Sequence, residues 1–439
     1  MLKVVKFGGS SLASAEQFKK VGDIIKMEED RRYVVPSAPG KRFPEDTKVT
    51  DMLYQTYALA EAGKKFDKEL SAIKDRYDEI IKGLDLKMSL DEDFKTIAEM
   101  FASKAGKDYA ASRGEFLNGK IMANYLGIEF VDAAEVIRFY DDGPFDSHKT
   151  KKLMRDRLAG IDRAVIPGFY GAYADGKVKT FSRGGSDITG SIVAGAVKAD
   201  VYENWTDVSG FLIADPRIID KPEAIETITY RELRELAYMG ASVLHEDAIF
   251  PVRQAGIPIN IKNTNAPEDE GTMIVANTCQ KSDFTITGIA GKKGFVAVSI
   301  DKDMMNSEVG FCRKALQAFE ESNISIEHMP SGIDTMTVFV HQEEFEGKEQ
   351  QVISSINRLC QPDSIDLEAD LALIAVVGRG MRSTRGTAGR IFSALAHASI
   401  NVKMIDQGSS ELNIIIGVSN DDFENAIRAI YDIFVETRL

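Results

Sequence analysis

The last third of the chain repeats itself. Ser322-Asn323-Ile324-Ser325-Ile326 is echoed by Ala398-Ser399-Ile400-Asn401-Val402, which sets Ile324 and Ile400 76 residues apart. The same spacing pairs Gly310 with Gly386, Ala318 with Ala394, Gly332 with Gly408 and Val338 with Ile414. Each copy reads strand, polar glycine-containing turn, amphipathic helix, strand, glycine turn, strand. Two copies are too few for a solenoid, which needs three or more stacked units to bury its core. The repeat therefore predicts a pair of small α+β modules. The polar, non-periodic stretch from Asn277 to Asp283 predicts a domain boundary near residues 276–285.

The other end of the chain follows a different rule. A β-branched run over residues 2–7 stops at Gly8-Gly9-Ser10-Ser11. Phe18, Val21, Ile24 and Ile25 then fall at helical spacing, and Tyr33-Val34-Val35 forms the next strand before Pro36-Ser37-Ala38-Pro39-Gly40. Strand, glycine turn, helix, strand is the signature of a layered α/β fold with a largely parallel sheet. Residues 51–126 are charged and alanine-rich and read as several helices. Strands follow at Glu129-Phe130-Val131 and Ala164-Val165-Ile166. A hairpin turns at Asp175-Gly176, a helix opens after Arg183-Gly184-Gly185-Ser186-Asp187, and a strand runs from Val201 to Trp205.

Composition removes several functions. The 54 Lys and Arg against 68 Asp and Glu give a net charge of −14, the wrong sign for a surface that reads nucleic acid. Cys279, Cys312 and Cys360 form no CxxC and are too sparse for a disulfide framework. The longest apolar run, Leu371 to Val377, is far short of a membrane span, and Met1 to Lys6 carries no apolar signal core. These features predict a soluble cytoplasmic protein, without nucleic-acid or membrane partners.

Three segments carry chemistry. In Lys6-Phe7-Gly8-Gly9-Ser10-Ser11 the glycines let the backbone approach an anion, and the lysine adds a charge suited to a transferring phosphoryl group. Arg183-Gly184-Gly185-Ser186-Asp187 offers a guanidinium fork for a carboxylate at Arg183 and an anion for an ammonium at Asp187, the two charges of an α-amino acid. Asn204-Trp205-Thr206-Asp207, with Asp215-Pro216-Arg217 beyond it, places polar groups at the carboxyl end of a strand, where open α/β sheets bind ligands.

Taken in order, Lys6 to Ser11, Ser37-Ala38-Pro39-Gly40, Arg113-Gly114-Glu115, Arg183 to Asp187 and Trp205-Thr206-Asp207-Val208 closely resemble the aspartate kinases of the amino-acid kinase family. The C-terminal repeat resembles their tandem ACT regulatory domains, so the likeness covers essentially the whole chain. The resemblance implies a three-layer sandwich with a largely parallel central sheet over residues 1–280, and two ferredoxin-like α+β ACT domains over 285–439. It implies phosphorylation of the L-aspartate side-chain carboxylate by ATP with Mg²⁺, the first step toward lysine, threonine and methionine. Lys6 and Asp187 are then the catalytic residues. Lys6, Gly8, Gly9, Ser10, Thr206, Asp207, Leu212, Arg217, Asn263 and Thr264 match nucleotide-side positions. Thr50, Glu115, Phe169, Arg183, Ser186 and Asp187 match aspartate-side positions. No residue is singled out as a protein ligand to the metal.

The same resemblance implies feedback control. Met305, Glu308, Gly310, Phe311, Ser325, Ile326 and Glu327 match an effector-lining segment. Glu308 or Glu327 would suit the ammonium of L-lysine, and pairing of ACT modules implies a homodimer or tetramer. The competing expectations are another amino-acid kinase or a catalytically silent ACT-containing sensor.

Overall fold

The computed structural model describes residues 1–437 except Arg183, Ser242, Val243, His245 and 279–283. The expectations for Arg183 and Cys279, and most of the polar boundary stretch from Asn277 to Asp283, fall outside the described residues. The chain forms two compact units. The first is Met1–Phe211 with Ala224–Tyr230 and Val243–Thr278. The second is Cys279–Leu439 with Leu212–Glu223 and Arg231–Ser242.

The first unit runs β1 (Lys3–Phe7), α1 (Ala15–Met27), β2 (Arg31–Pro36), α2 (Val49–Glu61), α3 (Asp67–Gly83), α4 (Asp91–Ala102), α5 (Lys107–Leu126), β3 (Glu129–Phe130), α6 (Ala133–Val136), α7 (Ser147–Leu158), β4 (Ala164–Val165), β5 (Tyr170–Ala172), β6 (Val178–Thr180), α8 (Gly185–Val197), β7 (Val201–Thr206) and β8 (Thr227–Thr229). After α9 (Tyr230–Tyr238) come α10 (Glu246–Ala255), β9 (Ile259–Asn263) and β10 (Thr272–Val275). Eight strands form one sheet in the order β3-β4-β2-β1-β7-β9-β10-β8. Every pairing in it is parallel except β9 with β10.

The layers follow from strand alternation. Val5, Phe7, Val34 and Trp205 join one core with Phe18, Val21, Ile24 and Ile25 of α1 and the apolar faces of α2 to α5. Helix α8 packs on the other face, where Gly190 lets it sit against Tyr202. Ser14 caps α1 by accepting the Gln17 N–H.

Trp205, read from the sequence as part of a binding segment, is wholly buried. Its indole Nε1 donates to Glu203 Oε2 at 2.9 Å. Glu203 also accepts from Arg31 Nε at 2.8 Å and pairs with Lys3 Nζ at 3.0 Å, and the Arg31 guanidinium lies over the Trp205 ring. The tryptophan is a packing element over a buried ion cluster, not a ligand contact.

The second unit holds β11 (Gly288–Asp301), α11 (Phe311–Glu321), β12 (Thr335–His341), α12 (Gln342–Phe345), α13 (Glu349–Cys360), β13 (Ser364–Val377), α14 (Thr387–His397), β14 (Met404–Asp406), β15 (Asn413–Ser419) and α15 (Phe423–Tyr431). Its antiparallel sheet has the order β12-β11-β13-β15-β14. The duplication is visible in the backbone. Gly310 and Gly386 both cap a helix in the left-handed region, at φ +87° and +83°. Asn323 and Ser399, at the same 76-residue spacing, are both left-handed after that helix. The two copies share one continuous sheet because β11 and β13, each 14 residues long, pair along nearly their whole length.

A single cut near residue 280 does not describe these units. Helix α9 supplies Glu232, whose carboxylate pairs with Arg379 at 3.1 Å and accepts from Thr287 Oγ1 at 2.6 Å. The segment 212–223 joins through the Ile289 N–H, which donates to Ile213 O, and the Tyr431 hydroxyl, which accepts from the Glu223 N–H.

The Glu203 cluster yields a stability prediction. Burial pushes this carboxyl up, but Arg31 and Lys3 outweigh burial and hold it below its usual value. Its contribution is therefore present above the unfolded glutamate pKa of about 4.3 and lost as pH falls through the lower folded value. Breaking a buried pair leaves uncompensated charge and costs about 3–5 kcal/mol. Urea titration of Glu203→Gln should show a loss of about 3 kcal/mol at pH 7, shrinking toward acid pH.

Candidate active site

The site forms where β1, β2, β4 and β7 end. Parallel register sets Lys6 of β1 opposite Asn204 of β7. Lys6 Nζ lies 2.6 Å from Asp187 Oδ1 and 3.2 Å from Asn204 Oδ1, and Asn204 Nδ2 donates to Asp187 Oδ1 at 2.8 Å. Lys6 is 7% exposed and Asn204 2%. A lysine so deeply placed needs a matched anion, which Asp187 supplies from the first turn of α8. The motif reading assigns Asp187 to a substrate ammonium, but in the fold its charge is already met by Lys6.

Beyond Lys6 two glycine loops interlock. The Gly40 N–H donates to Gly9 O at 2.8 Å. A Cβ on Gly40 would lie 2.6 Å from the Gly9 carbonyl carbon, and one on Gly9 would lie 2.9 Å from Ala38 O. Only glycine permits this approach. The Gly8 N–H is spent on Trp205 O at 3.0 Å. Among the described residues no protein acceptor takes the N–H groups of Gly9 and Ser10, so these are the donors the turn presents. Ser11 turns inward, its Oγ 2.7 Å from Thr264 Oγ1.

On the nucleotide side, the Thr264 N–H donates to Thr206 O at 2.9 Å, and Asn263 Nδ2 donates to Ser209 Oγ at 3.0 Å. The Thr206 hydroxyl donates to Asp207 Oδ1 at 3.2 Å. Lys6, Gly8, Gly9, Ser10, Thr206, Asp207, Asn263 and Thr264 thus gather at adjoining strand ends. Sequence reasoning singled out the Asn204 segment without giving Asn204 itself a role, and missed Gln17 and Lys20. The last two reach Asn265 Oδ1 from α1 at 3.3 and 2.9 Å. Leu212 and Arg217 belong to the second compact unit, where Arg217 holds Asp215 at 2.5 Å.

The aspartate-side residues surround the Ser37–Gly40 loop. Thr50 lies in the first turn of α2, and a Cβ on Gly114 would come 3.8 Å from its hydroxyl. The loop between them is fastened by Arg76, which donates to Gly40 O at 3.0 Å and Thr47 O at 3.2 Å. Glu115 is buried and accepts the Ala38 N–H. Burial pushes its carboxyl up to about 8, against the weaker pull of that N–H and of Arg113. Phe169 sits at φ +78°, its N–H donated to Thr189 Oγ1 at 3.0 Å. Gly168 and Ser186 are in close contact, as are Phe169 and Gly185. Arg183 lies outside the described residues.

The proposed effector residues divide between the two ends of α11. Met305 and Phe311 are buried in the core of the first repeat, and Gly310 caps the helix that Phe311 opens. Glu308 is held by Lys302 at 2.5 Å and Lys314 at 2.7 Å. Ser325 and Ile326 line a cavity of about 710 Å³ with Leu316, Glu320, Glu344 and Lys348. Glu327 is paired with His341 at 3.2 Å and hydrogen-bonded by Tyr238. Neither Glu308 nor Glu327 is thus free for an effector ammonium; Glu320 and Glu344 are the carboxylates facing the cavity.

Comparison with known proteins agrees with this geometry. Residues 1–263 match the amino acid kinase family model, and residues 374–434 match an ACT domain model. Aspartokinase 3 of Bacillus subtilis is 41% identical over 99% of this chain and 98% of its own. The crystal structure of Clostridium acetobutylicum aspartate kinase superposes with a TM-score of 0.92 at 51% identity, covering 99% of both chains. Two E. coli aspartokinase III structures share the fold over 99% of both chains. One, with aspartate and ADP, has TM-score 0.71 and 24% identity; the other, with lysine and aspartate, has 0.75 and 23%. The chain belongs to the amino acid kinase family and, within it, to the aspartokinases. Among the described residues no helix is long and apolar enough to cross a membrane.

Proposed function

We propose that the chain transfers the γ-phosphoryl group of ATP to the side-chain carboxylate of L-aspartate, giving ADP and 4-phospho-L-aspartate. The supporting observation is the buried Lys6–Asp187–Asn204 triangle beside the free N–H groups of Gly9 and Ser10. The attacking carboxylate has an ordinary pKa of about 3.9 and is ionised near neutral pH. No general base is required. Catalysis is then positioning and neutralisation of phosphoryl charge. Lys6, fixed by Asp187, meets the transferring group, and the Gly9 and Ser10 amides hold its oxygens. Arg183 is assigned to the α-carboxylate by its place in the motif.

Mg²⁺ would enter on the phosphates of the nucleotide and neutralise charge there. Among the described residues no group of three or more His, Cys, Asp or Glu side chains could hold a metal by itself. The reaction would open a biosynthetic branch toward lysine, threonine and methionine in the cytoplasm.

L-Lysine is proposed as the feedback effector, bound at the Ser325–Ile326 cavity against Glu320 and Glu344. Met304, Val309 and Ile333 of the same repeat are 68%, 98% and 69% exposed, an apolar surface suited to pairing two chains into a homodimer or tetramer. An effector inhibits only by binding the low-activity state more tightly.

Two measurements follow. ADP release should depend on L-aspartate, and Lys6→Ala should lower kcat about 10²–10³-fold while the circular dichroism spectrum is unchanged. Near-wild-type turnover by the folded variant would refute the assignment of Lys6. Titration with L-lysine should inhibit the wild type. Ser325→Phe, which fills the cavity, should relieve inhibition without changing the uninhibited rate. Indifference of the wild type to millimolar L-lysine would refute the effector but not the kinase.

A further inference from the structure

One arginine holds both ends of the turn that leaves the glycine crossing. Residues 41–48 run from Gly40 to the start of α2, and the base of the turn is closed by the Val49 N–H, which donates to Pro39 O at 3.2 Å. Its outer side is closed as well. Lys41 Nζ donates to Pro44 O at 3.0 Å. Arg42 donates to Asp46 Oδ2 from its backbone N–H at 3.0 Å and from Nε at 2.9 Å, and reaches Glu79 of α3 at 3.1 Å. Arg76 of α3 works from the inner side and is 5% exposed. Its Nη2 donates to Gly40 O at 3.0 Å. Its Nη1 donates to Thr47 O at 3.2 Å and pairs with Asp46 Oδ2 at 3.1 Å. Among the described residues no other donor takes either carbonyl.

Closing the turn does not require this arginine, because the Val49–Pro39 contact and the Arg42–Asp46 pair already do so. A buried guanidinium is costly unless its hydrogen bonds are met, and here they are met largely by main-chain oxygens. What Arg76 adds is a tie between α3 and the Gly40 peptide. The helix is itself fixed: Ile73, Tyr77 and Ile80 lie in the core, and the Tyr77 hydroxyl donates to Gly114 O at 2.8 Å. Gly40 has free rotation about both of its backbone dihedrals unless the peptides on either side are held. One is held by its N–H on Gly9 O, the other by its carbonyl on Arg76. The Gly9 carbonyl and the Ser10 N–H belong to a single planar peptide, so fixing that oxygen fixes where the Ser10 N–H points. A line of contacts thus runs from α3 through Gly40 to a donor that the site turn presents.

We propose that Arg76 is a positioning residue for phosphoryl transfer: by holding the Gly40 carbonyl it fixes the Gly9–Ser10 peptide and aims the Ser10 N–H at the transferring group. The proposal rests on the phosphoryl-transfer reading above. Arg76 touches neither substrate and acts through Gly40 and Gly9. A donor displaced by about 1 Å can cost about 10²-fold in rate. The cost falls on the chemical step, because the N–H matters most where phosphoryl charge develops. The first turn of α2, which carries Thr50, is held independently by Val49 and Leu53, both fully buried, so the aspartate side keeps its place without Arg76.

The test is steady-state kinetics on the full-length protein, varying ATP and L-aspartate in turn, with circular dichroism on each variant. Arg76→Ala should lower kcat about 10²-fold and leave both KM values within about threefold of the wild type. Arg76→Lys, which keeps the charge but not the fork, should fall between the two, about tenfold below the wild type. Arg42→Ala removes contacts to Asp46 and Glu79 and touches neither carbonyl, so it should keep kcat within about threefold. A kcat within about threefold of the wild type in folded Arg76→Ala, or a loss confined to KM, would overturn the proposal. So would an equal loss in Arg42→Ala, since closure of the turn alone would then account for the effect. If Arg76→Ala does not fold, Arg76→Lys decides, and wild-type kcat in that variant overturns the proposal. Wild-type protein without aspartate-dependent ADP release would remove the kinase reading itself; with that turnover present, these outcomes bear on Arg76 alone.

Discussion

The candidate site is organised around one buried charge. A lysine 7% exposed at the end of a central parallel strand is unfavourable by itself, because an ammonium removed from water must recover its solvation from the protein. The recovery here is local and closed. Asp187 supplies the counter-charge, and Asn204 donates to one partner while accepting from the other. Three elements meet at that point: β1 carries the lysine, β7 the asparagine in direct register, and α8 the aspartate in its first turn. The glycine loops then settle against this fixed point. Gly8 is tied to Trp205, Gly9 to Gly40, and Ser11 to Thr264.

What the sequence made legible was local. Glycine after a β-branched run marked the first strand end, helical spacing marked α1, and Asp175-Gly176 marked the hairpin. The repeat told more than topology, since Gly310 and Gly386 share a left-handed cap and Asn323 and Ser399 share the turn after the helix. Lys6, Gly8, Gly9, Ser10, Thr206, Asp207, Asn263 and Thr264 lie together at adjoining strand ends because each ends or follows a strand.

What stayed hidden was pairing across long sequence distances. Nothing near Trp205 announces Arg31 or Lys3, so a residue held over a buried ion cluster read as a ligand contact. Asp187 read as free because Lys6, its partner, lies at the other end of the kinase segment. Glu308 and Glu327 read as effector groups because their consumption by Lys302, Lys314, His341 and Tyr238 depends on tertiary packing. The membership of α9 in the second unit has the same cause. Its Glu232 is an ordinary helix residue until Arg379 and Thr287 are folded against it.

The account makes Lys6 and Asp187 a single functional unit, and a double-mutant cycle on kcat measures that directly. Asp187→Ala would leave the lysine without its anchor, and Lys6→Ala would leave the partly buried Asp187 carboxylate without its cation. Once either member is gone, the other has little left to contribute. The double variant should therefore turn over within about tenfold of the slower single variant. Losses that multiply, so that the double variant is slower by the full product of the two single effects, would show that the two side chains act independently and would contradict the account.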